Sequence, residues 1–164
     1  IDEDEQSKIA DGLKQQAAAQ AITTRSVFYY IFLVVSLILF ICLLYSIFSP
    51  WEMDHQKVFE NYIPSYGFFS FYTGSIFCYL VCAMVNTQKV NVIVMNLAYF
   101  IAALSMIMWG VVFHTYGVTN PLLYWLPLGN IAGIALAQYV DNDTRDLVTS
   151  VEGLEQYKYS FKGV

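Results

Sequence analysis

Four stretches of this chain, Val27–Phe48, Gly67–Val85, Val90–Phe113 and Leu122–Val140, contain no Asp, Glu, Lys, Arg or His, and polar segments separate and flank them. At about 1.5 Å per residue, each is long enough to cross a hydrocarbon core of about 30 Å as a helix. The pattern predicts an all-α polytopic membrane protein. Its parts are a polar N-terminal tail (1–26), a bundle of four transmembrane helices (27–48, 67–85, 90–113, 122–140) and a polar C-terminal tail (141–164). Four crossings put both termini on the same face.

The polar segments carry their own signals. Gln6 to Ile22, rich in Ala, Gln and Lys, reads as a separate short helix with Ile9, Leu13, Ala17 and Ala21 on one stripe. That stripe suits a protein partner or plain solvation better than lipid, which would call for Trp, Phe or Leu. Thr23 and Thr24 stand where a cap for the first span belongs, and Ser49-Pro50-Trp51 stops that span. The Pro50 to Tyr66 connection is predicted to hold a short helix from Glu52 to Asn61. Its Glu52, Asp54, His55 and Glu60 read as the polar surface of a solvated loop rather than as a metal site. Asn86-Thr87-Gln88-Lys89 is a tight turn, so the second and third spans must be antiparallel neighbours. Thr119 or Asn120 with Pro121 is expected to open the fourth span and Pro127 to bend it. After Asp143 the tail reads as a helical turn, then as the alternating Tyr157-Lys-Tyr159-Ser-Phe161, whose aromatics suit docking on a partner.

Charge adds an orientation. The net charge of −5 arises mostly in the tails, and nothing is basic enough for nucleic acid. Lys8, Lys14, Arg25, Lys89, Arg145, Lys158 and Lys162 lie on the tail side against Lys57 alone on the other, which predicts both tails inside. The chain starts at Ile1 rather than Met. With the N-terminus inside, that fits a removed organellar import presequence better than a cleaved secretory signal. The expected location is therefore the mitochondrial inner membrane, with endoplasmic reticulum and plastid membranes as the alternatives.

Within the spans the chemistry is sparse. Apolar runs without ionisable groups speak against pumps, proton relays and acid/base enzymes, so no catalytic, metal or cofactor-binding residue is expected, only structural lipids. Ser70, Gly74, Cys78 and Cys82 recur every fourth residue in the second span, as do Gly129, Gly133 and Ala137 in the fourth. Small faces of this kind admit a close neighbour, inside the bundle or in another subunit. Asn96 and Asn130 are amides in mid-span and are expected to clasp the third and fourth spans together. Trp109, His114, Tyr116, Tyr124 and Trp125 read as an interfacial aromatic belt.

From Tyr66 onward, Tyr66-Gly67, Cys78, Phe113-His114-Thr115 and Leu126-Pro127-Leu128, together with Gln56-Lys57-Val58-Phe59, occur in the order that resembles the ergosterol-biosynthesis scaffold family. These are small four-span proteins that tether sterol C-4 demethylation enzymes. The chain departs from that pattern at Phe77, where the family has a basic residue, and around Met106 to Gly110. The resemblance implies a four-span bundle and a scaffold role more than a sterol connection. The expected function is a non-catalytic scaffold or accessory subunit of a multi-subunit membrane complex, respiratory or ATP-synthase-like, meeting other subunits through helix faces and both tails. The alternatives are a sterol-enzyme scaffold of the endoplasmic reticulum and a small neutral-solute transporter or channel.

Overall fold

The computed structural model describes residues 3–57, 59–61, 63–87, 90–117 and 124–160, with side chains beyond 153 left aside. Every regular element among them is an α-helix: α1 (Glu3–Phe48), α2 (Asp54–Lys57), α3 (Ser65–Val85), α4 (Val92–Tyr116) and α5 (Trp125–Ser160). Of these, α1, α3 and α4 are long and apolar enough to cross a membrane. The apolar part of α5 runs from Trp125 only to Val140 before Asp141 follows.

The helix ends follow local chemistry. Asn91 caps α4 by accepting the Ile93 N–H at 3.0 Å, which satisfies one of the donors a helix start leaves orphaned. Gly117 closes the same helix in the left-handed conformation (φ 64°) that costs glycine least. Pro127 falls in the first turn of α5, where its missing N–H costs no intrahelical bond. The expected cap at Thr119 or Asn120 with Pro121 lies outside the described residues.

α3 and α5 form an inner pair, and α1 and α4 each pack on both of them. Two core clusters result. Phe32, Cys78, Val81, Cys82, Ala98, Ala102, Ile134 and Ala137 fill the half nearer the termini. Leu39, Phe59, Phe68, Tyr72, Trp109, Phe113 and Leu126 fill the other half. The outward sides of α1 and α4 remain covered in large apolar residues, among them Val34, Ile38, Ile41, Phe100 and Ile107, as expected of helices that face hydrocarbon.

Three expectations change. The N-terminal helix and first span are one element, because Thr23 does not cap: its hydroxyl donates to the Ala19 carbonyl at 2.9 Å, within the helix. The C-terminal tail likewise continues α5 unbroken to Ser160 rather than breaking into an alternating stretch. Among the described residues of the far connection only Asp54–Lys57 is helical, and it is no solvated loop, since Gln56 and Phe59 are fully buried.

Candidate functional site

Where α1 and α5 leave the bundle together, an ionic joint binds them. Arg25 donates from Nε to Thr144 Oγ1 at 2.9 Å and from a terminal nitrogen to Asp141 Oδ1 at 2.8 Å. Arg145 holds the other carboxylate oxygen at 2.7 Å. Asp141 is thus shared by two guanidinium groups, with its side chain largely buried and the arginines partly exposed. Charge-assisted bonds in such a setting fix geometry as well as adding energy. Beyond the joint the helices continue side by side as an antiparallel stalk. Ala17 and Ala21 are buried there, and a cavity of about 150 Å³ is lined by Lys14, Ala17, Ala18, Val148, Val151 and Glu152. Ile9 and Leu13, from the same sequence stripe, stay exposed on the stalk's flank.

Inside the bundle the small residues meet neighbouring helices of the same chain. A Cβ on Gly74 would lie 3.1 Å from Ile101 of α4, and the Cys78 thiol reaches the Ala98 carbonyl, also on α4, at 3.5 Å. Cys82 is buried beside them, whereas Ser70, one turn further out, is exposed and returns its hydroxyl to the Tyr66 carbonyl. On α5, Gly129 and Gly133 receive the Tyr79 side chain of α3, whose hydroxyl and ring edge stand 3.0 and 2.9 Å from where their respective Cβ atoms would be. Ala137 is fully buried on the same face.

The two amides part company. Asn130 is buried and donates to Ser75 Oγ at 2.9 Å, tying α5 to α3. Asn96 is exposed on the outer side of α4 and does not meet Asn130, so the expected clasp between them is not what joins these helices. Tyr99 and Gln138 make the α4–α5 hydrogen bond instead.

At the far end the connection after α1 folds down into the bundle. Gln56 Nε2 donates to Ser46 Oγ at 2.6 Å and to the Tyr72 hydroxyl at 3.1 Å. Ser46 Oγ in turn donates a hydrogen bond to the Cys42 carbonyl. The Tyr72 hydroxyl also meets His55 Nε2 at 2.5 Å, so that Gln56, Tyr72 and His55 form one polar network. Burial lowers the His55 pKa below its ordinary value, against a smaller opposing pull from Asp54. Around this network Phe59 stacks on Trp109 and Phe113, and Phe68 meets Trp51, Phe59 and Trp109.

Trp109 is therefore a buried member of this aromatic cap rather than part of an interfacial belt. His114, Tyr116 and Trp125 do lie on the exterior, and Tyr124 packs edge-on against Phe113. Two of the loop acids find partners within the chain: Glu52 takes the Tyr45 hydroxyl, and Asp54 pairs with Lys57 at 3.1 Å. Among the described residues, no group of three or more His, Cys, Asp or Glu stands close enough to hold a metal.

Sequence reasoning meets Gln56 only within the Gln56-Lys57-Val58-Phe59 run and gives it no role, and nothing in the sequence signals that Arg25 and Asp141, over a hundred residues apart, meet. No family model, curated protein or solved structure matches this chain.

Proposed function

We propose that the chain is a non-catalytic integral-membrane scaffold or accessory subunit of a multi-subunit membrane complex. The observation that carries this reading is the stalk. Two helices leave the same end of the bundle, are locked by Arg25, Asp141 and Thr144, and run on for about 30 Å at 1.5 Å per residue. Such a pair adds nothing to an isolated bundle but offers a neighbour a rigid surface, with Ile9 and Leu13 displayed on it. In this reading the apolar start of α5, with Leu122 before it, is a fourth span, and both tails face the Lys- and Arg-rich inner side. The favoured location is the mitochondrial inner membrane, and the favoured setting a respiratory or ATP synthase assembly.

The test is purification from native membranes in mild detergent, followed by identification of co-migrating subunits. Stable stoichiometric partners are expected, and they should be lost in an Ile9→Glu/Leu13→Glu variant that retains its helix content. A chain that runs free of partners would overturn the reading, and co-migrating sterol-modifying enzymes would favour the endoplasmic-reticulum alternative. Labelling added cysteines at positions 5 and 150 from one side of sealed vesicles tests the topology. Both should react from the same side. A transporter would need Asn130 for its solute; its bond to Ser75 supports a packing role instead, which flux measurements on Asn130→Leu would check.

A further inference from the structure

Asn96 is an exposed amide on α4, and hydrocarbon offers it no partner. Ser70, Thr73 and Ser105 return their hydroxyls to carbonyls four residues back, and Asn130 and Gln138 bond across helices. Asn96 is exposed on the outer side and makes no hydrogen bond among the described residues. It sits about one turn inside α4, roughly 6 Å from the helix start at 1.5 Å per residue. A carboxamide left there without a partner is costly, since lipid tails supply neither donor nor acceptor.

The amide does not stand alone. Asn96, Phe100, Ala103, Ile107, Gly110 and His114 follow one another at spacings of four and three, the repeat of a left-handed helix pair. Large and small residues alternate along this seam. Phe100 and Ile107 are among the most exposed apolar residues of the helix, and a Cβ on Gly110 would meet nothing within 4 Å. Another side of α4 carries Ala98, Ala102, Trp109 and Phe113 into the core, so the seam lies on the part of the helix turned away from the chain's own bundle.

We propose that this seam is the interface with a second copy of the same chain, α4 against α4 across a two-fold axis along the membrane normal. Identical chains insert with the same orientation, so their α4 helices run parallel and residues of equal number meet at equal depth. The second copy is thus the partner that is certain to present an amide at the depth of Asn96. Because a carboxamide is both donor and acceptor, the two satisfy each other. Ala103 and Gly110 form the layers of close approach, and Phe100 and Ile107 fill the space between them. The inference needs only that the apolar helices cross a membrane, and it stands whether or not the chain serves a larger assembly.

Disulfide trapping of the full chain in lipid vesicles tests it, with the native sequence as blank. Ala103→Cys and Gly110→Cys should give covalent dimers at least about fivefold above Leu97→Cys and Leu104→Cys, which are also exposed but lie off the seam. Asn96→Leu added to Ala103→Cys should weaken dimerisation about threefold to tenfold, as expected for loss of two interhelical hydrogen bonds. Energy transfer between donor- and acceptor-labelled chains, which requires no cysteine in α4, should fall in parallel for Asn96→Leu and persist on lipid dilution in the native sequence. Equal trapping on and off the seam, or transfer that decays to random encounter on dilution, would overturn the proposal. So would seam cysteines that join only a different protein in native membranes, which would assign the face to that partner.

Discussion

The two ends of this molecule solve the problem of exposed backbone and apolar surface in opposite ways. The far end is a plug: a connection that contains one short turn of helix drives Gln56 and Phe59 to full burial among rings from α3 and α4. The near end is a stalk, two long helices touching along a line of alanines and held at its base by one shared carboxylate. Side-chain volume stabilises the plug; helix propensity and a single ionic joint stabilise the stalk. The same chain therefore has one end that is costly to alter and one that is tolerant, and the tolerant end is the one that projects.

Truncating the plug should have the largest effect. Phe59→Ala leaves a cavity between stacked rings and is expected to cost about 3–5 kcal/mol, read as a lower thermal midpoint and lost near-ultraviolet dichroism in nanodiscs. Breaking the stalk's joint comes next. Asp141→Asn removes the charge that two guanidinium groups share, and about 1–2 kcal/mol is expected, less than for a fully buried pair because both arginines reach solvent. Distances between spin labels at Gln16 and Thr149 should broaden, while the signals of the plug stay unchanged. If the plug loosens as well, the two ends are coupled and the contrast is too sharp.

Mild acid should act on the plug through His55. The folded state lowers the His55 pKa, so the stability it contributes is fully present above the ordinary histidine value of 6.5 and is lost as pH falls through the lowered folded value. Tryptophan emission from Trp51 and Trp125 should change reversibly below that point, and the transition should vanish in His55→Gln. The smallest effect belongs to Leu13→Ala on the stalk flank, within about 0.5 kcal/mol, as checked by thermal unfolding. A larger loss would mean that the exposed stripe already supports the isolated chain.

The apolar runs could be read from sequence because lipid imposes a simple rule on composition. What composition does not carry is rotation about a helix axis. Asn96 and Asn130 look alike in uniformly apolar stretches, yet one faces outward and the other bonds Ser75. Asn130 shares its face with Gly133 and Ala137, and that spacing was the available clue. Helix continuity was hidden for a related reason. The change from Ala and Gln to Phe and Tyr around Thr23 marks a change of solvent and not a change of element. Trp109 was misplaced because an aromatic near a span's end suits the interface and the core equally well.

An uninterrupted α1 also makes the molecule a lever. The helix is rooted in the bundle by Phe32, Leu39 and Ser46 and continues past Arg25 with no proline and no loop as a hinge. Its outer arm from Thr24 back to Glu3 is about 33 Å long, so a tilt of about 10° in the bundle would sweep the outer end through roughly 6 Å. Changes in bilayer thickness that reorient the bundle are thereby converted, without any conformational change in the chain, into displacement of whatever rests on the outer end of the arm.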